Sequence, residues 1–182
     1  RARAGTVPQG GFVFSTTVRE NIAYGLPSAA SSRAASAAIY SAVHDSALQK
    51  DLAQLPQGLD TVVGERGVTL SGGQRQRTAL ARAFYRQGYQ LLLLDDVLSA
   101  VDHATELKLI ESIYAREPRC TTLIVSHRMS VLQRADRVLV IDNGALVEQG
   151  SPQALASGEG LYAQAWRAQR LEDEKTRGEV ER

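Results

Sequence analysis

A run of four leucines followed directly by two aspartates, residues 91–96, is the feature that most constrains the fold. An apolar segment without alternation is typical of a strand that is buried on both faces of a parallel sheet, which predicts such a strand over residues 90–95. Residues 121–125 are predicted as a second buried strand and residues 4–7 as a short first strand. Because helical patterns alternate with these strands through the second half, we predict an α/β sheet.

Helical spacing of apolar residues and capping signals predict the helices. They are expected over residues 15–23, 37–55, 71–88, 102–116, 128–134 and 161–182. The sequence Asp142-Asn143-Gly144 predicts a hairpin, because asparagine and glycine tolerate the positive φ of a tight turn. The first helical stretch, residues 15–61, is expected to form an inserted or appended lobe.

Composition excludes several classes of function. The chain has 21 basic and 20 acidic residues, a net charge of +1, which supplies no bulk attraction to nucleic acid or anionic lipid. We therefore expect no nucleic-acid partner. The single cysteine, Cys120, excludes an internal disulfide and a cysteine-based zinc site. The chain starts at Arg1 rather than methionine, so we expect it to be part of a longer protein.

Polar side chains follow each predicted strand, at the strand ends where open α/β sheets carry their chemistry. The Asp95 carboxylate can bind a Mg2+ ion, and the adjacent Asp96 carboxylate can orient a water molecule. Either carboxylate can equally cap the following segment. Gln9 can either bind a metal ion through its amide oxygen or cap a turn. The His127 imidazole can either contact a terminal phosphate or form a hydrogen bond with a purely structural role.

A helix start rich in glycine follows Leu70 and has the sequence Ser71-Gly72-Gly73-Gln74. Ser71 and Gln74 form a capping box, and the two glycines let an anion approach the free backbone N–H groups at the positive end of the helix dipole. If this segment only capped the helix, two glycines in the first turn would be unfavourable, since glycine destabilises helices.

Other polar residues have simpler interpretations. Asp102 is expected to cap the helix that follows it. The arginines at positions 75, 77 and 82 are predicted to form the solvated face of the helix that begins after Ser71. His44 and His103 are given no functional role.

The order of these segments along the chain resembles that in the nucleotide-binding domain of ABC transporters. The resemblance covers nearly the whole chain. The similar segments are residues 7–9 (Q-loop), 70–74 within LSGGQRQR (signature), 91–95 (Walker B), 99–102 (D-loop) and His127 (H-loop). Residues 64–67 resemble the X-loop of exporters, and residues 17–22 are also similar to the exporter type.

The resemblance implies a RecA-like P-loop NTPase core, truncated on its N-terminal side, with an α-helical subdomain. The helical and signature subdomain is expected over residues 12–88, the core over 1–11 and 89–150, and a C-terminal helix with a charged tail over 151–182. Two such domains would close head to tail on two ATP molecules, attached to transmembrane domains at the cytoplasmic face of the cell membrane.

The resemblance also implies a role for each site residue. Gln9 and Asp95 would hold Mg2+, and Asp96 would orient the hydrolytic water. His127 would contact the γ-phosphate, and Asp102 would act across the dimer seam. The segment Ser71, Gly72, Gly73 and Gln74 would bind ATP that the other subunit holds.

The chain departs from the family at position 96, where the family usually has glutamate and this sequence has aspartate. A side chain that is one methylene shorter misplaces the water, and a misplacement of ~1 Å can cost ~100-fold in rate. The intact signature beside a weakened Walker B segment predicts a heterodimer in which Asp96 lies in the slower site, and a homodimer stays open as the alternative. Two alternatives stay open: an ATP-gated dimerisation partner without turnover, and a soluble ABC ATPase of DNA repair or translation, against which the exporter-type segments argue.

The phosphate-binding pattern G-x-x-x-x-G-K-[ST] occurs nowhere in the 182 residues, and neither Lys50, Lys108 nor Lys175 follows such a glycine run. Without those backbone N–H groups and that lysine the β- and γ-phosphates lose their main cradle. We expect the isolated 182-residue chain to bind ATP weakly or not at all. Calorimetric titration of the isolated chain with Mg-ATP measures this, and tight binding would contradict it.

Overall fold

The computed structural model describes residues 4–25, 33–65, 67–86, 88–99, 101–116 and 120–180, without the side chains of 33 and 172–180. The chain divides into two compact units, Arg1–Ser126 and His127–Arg182. The first unit contains all three predicted strands, and the second begins directly after the last of them.

A parallel sheet of three strands forms the centre of the first unit. The strands are β1 (Ala4–Val7), β2 (Leu91–Asp95) and β3 (Thr121–Val125), in the spatial order β1-β2-β3. Val7 pairs with Leu94, and Asp95 pairs with Val125, so that the three strands end at the same edge. The predicted α/β sheet and its three strands are confirmed.

Burial differs between the strands. Leu92 and Leu94 of β2 are fully buried, and the alternate leucines of that strand are half-buried. The prediction that residues 121–125 are a buried strand is wrong for the described part of the chain. Leu123 is 47% exposed and Val125 is 56% exposed, because alternate residues of β3 project from one sheet face that no described element covers at this strand.

Five helices surround this sheet in the described residues of the first unit. They are α1 (Val18–Ile22), α2 (Arg33–Asp45), α3 (Gln49–Leu52), α4 (Gly72–Tyr85) and α5 (His103–Tyr114), with a 3-10 turn at Gly58–Asp60. The helix predicted over 37–55 is wrong as a single element. It breaks after Asp45 because Ala47 adopts a left-handed φ of 56°, which an α-helix does not accommodate.

Helix α4 is the packing centre of the first unit, since it contacts β1, α1 and α2. Its side chains are buried almost all round, from Thr78 to Tyr85 with the exception of Arg82. A helix this fully buried has no solvated face on which arginines can lie, so its polar residues must find partners inside the protein.

The second unit contains a hairpin and three helices in the described residues. The elements are α6 (Met129–Leu132), β4 (Val138–Asp142), β5 (Ala145–Gly150), α7 (Pro152–Ala156) and α8 (Leu161–Val180). The predicted hairpin is confirmed, with Asn143 at a φ of 48° and Gly144 at 78°. A small apolar core forms around Met129, Val138 and Tyr162.

Helix α7 was not predicted from sequence, although Ser151 caps it and a proline occupies its first turn. No helix within the described ranges is both long enough and apolar enough to span a membrane. The subdomain boundaries at residues 12–88 and 89–150 stay a prediction.

Candidate functional site

The carboxyl ends of β1 and β2 bring two of the predicted site residues into contact. Gln9 lies two residues after the end of β1, and Asp96 directly follows β2. The Gln9 amide Nε2 donates to the Asp96 carboxylate Oδ2 at 3.1 Å. Asp95 is the last residue of β2 and is exposed at the same edge. The strand register therefore places these three residues at one edge of the sheet, with Gln9 and Asp96 in contact.

The backbone of Asp96 is held in an uncommon conformation. Its φ is +48°, in the left-handed region that few non-glycine residues adopt, although aspartate is among those that do. The Asp96 N–H donates to the carbonyl of Val125 at 3.0 Å. Its carbonyl accepts from Ser99 Oγ at 2.8 Å and from Gln76 Nε2 at 2.9 Å. These bonds fix the peptide from which the carboxylate projects.

The start of α4 has the geometry of an anion site. The Gln74 N–H donates to Ser71 Oγ at 3.2 Å, and the Ser71 N–H donates to Gln74 Oε1 at 2.9 Å, which confirms the capping box. The first turn carries no acidic residue, and Ser71 and Gly72 are exposed. A Cβ on Gly72 would meet only the Arg75 side chain, at 4.0 Å. A phosphate can therefore approach the positive end of this helix.

The prediction that Arg82 lies on a solvated face is wrong. Its guanidinium donates to the Asn21 carbonyl at 2.7 Å, to Asn21 Oδ1 at 2.9 Å and to the Phe12 carbonyl at 3.0 Å. It lies over the rings of Phe14 and Tyr24, at 5.3 and 5.9 Å from their centroids. Burial lowers the pKa of Arg82. Arg82 thus ties the loop after Gln9 to α4.

The prediction that Arg77 lies on a solvated face is also wrong. Its guanidinium donates two hydrogen bonds, of 2.7 and 2.9 Å, to the Asp51 carboxylate. Both side chains are mostly buried. Arg75 donates to the Leu70 carbonyl at 2.9 Å. The partners of Arg77 and Arg82 lie on other elements, so no local pattern identifies them.

Glycine is required at position 11 of the loop that carries Gln9. Gly11 has a φ of +58°, and a Cβ there would lie 2.7 Å from the carbonyl carbon and oxygen of Arg75 and 2.8 Å from Gln76 Cα. The backbone of the loop therefore lies directly on the first turns of α4. Gly10 also has positive φ, at +84°, but a Cβ on it would meet nothing within 4 Å.

Asp102 caps α5, as predicted. Its Oδ1 accepts from the Thr105 N–H at 3.0 Å, and its Oδ2 accepts from Thr105 Oγ1 at 2.7 Å. These bonds from Thr105 lower the pKa of Asp102. His127 is exposed and opens the second unit, two residues after the end of β3. Its proposed phosphate contact stays a prediction.

Comparison with known proteins identifies the family. The family model described as "ABC transporter" matches residues 1–99, more than half of the chain. The chain belongs to the ABC transporter family. The resemblance that the sequence motifs indicated is therefore confirmed, and the helix start at Ser71 corresponds to the family's signature segment. Arg66 in the X-loop segment and Ala100 in the D-loop segment lie outside the described residues.

Similar relatives of this ABC transporter chain include exporters. It is 42% identical over 171 residues to the probable multidrug resistance ABC transporter ATP-binding/permease protein YheI of Bacillus subtilis, a match that covers 94% of this chain and 28% of the relative. It is 41% identical over 172 residues to the ATM1-type heavy metal exporter of Novosphingobium aromaticivorans, with 94% and 27% coverage. The chain thus spans little more than a quarter of these relatives.

A solved structure confirms the fold of the ABC transporter chain. The structure of a bacterial Atm1-family ABC exporter with ATP bound superposes with a TM-score of 0.81 and 42% identity. The match covers 93% of this chain and 29% of that chain. The predicted RecA-like ABC ATPase fold with helical elements is confirmed.

The donor set at the strand edge fits a magnesium-nucleotide complex. Asp95, Asp96 and Gln9 offer carboxylate and amide oxygens, which are the ligands that Mg2+ prefers. Within the described ranges no group of three or more His, Cys, Asp or Glu side chains is placed to hold a metal ion. Mg2+ is usually bound by one or two carboxylates together with substrate phosphates, so this sparse set suits an ion that arrives with ATP.

The contact between the Gln9 loop and α4 predicts a difference between two neighbouring glycine variants. Gly11→Ala introduces a clash with backbone atoms, whereas Gly10→Ala introduces only the strain of positive φ, of about 1–2 kcal/mol. We expect Gly11→Ala to lower the free energy of unfolding by at least about 1 kcal/mol more than Gly10→Ala, since backbone cannot yield as a side-chain tip can. Denaturant unfolding of both variants measures this. Equal losses would show that the loop does not rest on α4.

Proposed function

We propose that this chain is part of the ATP-binding domain of an ABC exporter, in which ATP binding and hydrolysis drive substrate transport. The observation that carries the proposal is the hydrogen bond between Gln9 and Asp96 at the shared ends of β1 and β2. It joins two ATPase motifs from distant parts of a chain whose fold matches that of an ATP-bound exporter. The exporter names of the relatives support the transport role.

Each predicted site residue has a distinct task in this proposal. Asp95 and the Gln9 amide oxygen would hold Mg2+, and the ion would supply charge neutralisation for phosphoryl transfer. Asp96 accepts a hydrogen bond from the attacking water and so directs its lone pair at the γ-phosphorus. His127 donates to the γ-phosphate. Catalysis is therefore positioning and charge stabilisation, without a covalent intermediate.

The Ser71 helix start acts on a second nucleotide. Its exposed hydroxyl and glycine backbone have no acidic neighbour in the first turn, which suits a phosphate. We assign this segment to the γ-phosphate of an ATP that a second nucleotide-binding domain holds, with Asp102 acting across the seam between the domains. The partner domain and the transmembrane domains place the assembly at the cytoplasmic face of a cell membrane.

The residue at position 96 favours a form of the proposal in which this site hydrolyses ATP slowly. Asp96 has a shorter side chain than the glutamate usual in the family, and its Oδ2 already accepts a hydrogen bond from Gln9. The site that contains Asp96 is therefore slow, and the second domain is a different polypeptide with a faster site. In the limiting case this domain binds ATP and closes the dimer while its partner alone hydrolyses.

Substitution at position 96 in the full-length assembly tests both forms of the proposal. Asp96→Glu places the carboxylate nearer the water and is expected to raise ATP hydrolysis at this site by about 10- to 100-fold, because ~1 Å of misplacement has an effect of that order. Asp96→Asn serves as the matched control that keeps the size and removes the charge. Phosphate release under saturating Mg-ATP is the measurement. An Asp96→Glu assembly no faster than the Asp96→Asn control would contradict a hydrolytic role for this position.

A further inference from the structure

Gln76 is a buried glutamine to which neither the sequence motifs nor the proposed function gives a role. It lies in the second turn of α4, two residues after the signature segment, and is 4% exposed. Its Nε2 donates to the backbone carbonyl of Asp96 at 2.9 Å. A single hydrogen bond thus joins the signature helix to the residue that carries the hydrolytic carboxylate.

The bond acts on a peptide whose orientation determines where the Asp96 side chain points. Carbonyl and side chain leave the same backbone segment, so a rotation of the left-handed φ and its neighbouring ψ swings the carboxylate. The carbonyl also accepts from Ser99 N at 3.3 Å and Ser99 Oγ at 2.8 Å, and both of these donors belong to the turn of residues 96–99 itself. Of these three donors, only Gln76 connects the turn to another element.

The same part of α4 also supports the residue that touches the Asp96 carboxylate. The Gly11 backbone lies against Arg75 and Gln76 so closely that a Cβ would clash. That loop carries Gln9, whose amide donates to Asp96 Oδ2 at 3.1 Å. The first turns of α4 therefore reach both the carbonyl and the carboxylate of Asp96, so a displacement of this helix displaces both.

We propose that Gln76 is a positioning residue that couples the signature helix to Asp96. The inference rests on the proposed function, in which the start of α4 grips the ATP of one site and Asp96 serves the other site. When the signature segment engages a γ-phosphate, the helix moves as a rigid body, and Gln76 passes this movement to the hydrolytic carboxylate. Each ATP site thereby responds to the occupancy of the other.

The test uses Gln76→Met in the full-length protein assembled with its partner domain. Methionine keeps the length and burial of the side chain but has no donor, and the Asp96 carbonyl retains its two Ser99 donors. The partner's own hydrolytic carboxylate is neutralised, so that turnover reports the site containing Asp96. We expect kcat to fall about tenfold with KM for ATP changed less than about twofold, because a sub-ångström shift of a reacting group lowers rate rather than affinity.

Thr78→Val is the matched control on the same helix. Thr78 is as buried as Gln76, and its hydroxyl donates to the Gln74 carbonyl at 2.8 Å rather than to Asp96. Its kcat is expected to stay within about twofold of the unmodified protein, whereas general damage to α4 would lower kcat in both variants. Ser99→Ala removes a donor that belongs to the turn itself and is expected to lower kcat in the same direction. Gln76→Leu also lacks a donor and repeats the test of the α4 bond if Gln76→Met does not fold.

A double-mutant cycle separates positioning from a merely structural role. In an Asp96→Asn background the carboxylate is gone, so Gln76→Met is expected to cause no further loss of single-turnover hydrolysis. An equal loss in both backgrounds, or unchanged kcat in Gln76→Met, would overturn the proposal for Gln76 and leave the ATPase function standing. Absence of hydrolysis in the unmodified and Asp96→Glu assemblies would instead refute the proposed function, and the coupling role of Gln76 with it.

Discussion

The parallel register of β1, β2 and β3 is the constraint on which the site depends. Val7 pairs with Leu94 and Asp95 with Val125, so Gln9 and Asp96 emerge at one edge although 87 residues separate them. Burial of Leu92 and Leu94 anchors β2 between β1 and β3, directly below that edge. The chemistry at the edge is therefore a consequence of packing in the sheet below it.

Helix α4 joins several parts of the first unit, because it packs against β1, α1 and α2 and is buried over most of its second half. Its apolar residues hold it against β1, α1 and α2, and its polar residues turn inward to specific partners. Gln76 reaches the Asp96 carbonyl, and Arg82 reaches the loop after Gln9. If the segment at its start binds phosphate as proposed, a helix with contacts to two other motifs is suited to couple nucleotide binding with the geometry of hydrolysis.

Local features of the fold and site could be predicted from sequence, and long-range ones could not. The Ser71 capping box and the Asn143-Gly144 turn were predictable because the residues that form them are neighbours. The break at Ala47 was not, because helical spacing continues through it while tertiary packing imposes a left-handed residue. The partners of Arg82 and Gln76 lie on other elements, so their positions in sequence carried no signal beyond the apolar surroundings of α4.

We propose that the helix start at Ser71 binds a nucleotide that another domain presents. The decisive measurement is a structure of the full-length assembly, trapped with Mg-ATP by Asp96→Asn. We expect Ser71 Oγ and the Gly73 N–H to lie within about 3.2 Å of a γ-phosphate held by the second domain, which is hydrogen-bonding distance. A closed assembly in which that helix start points away from both triphosphates would contradict it.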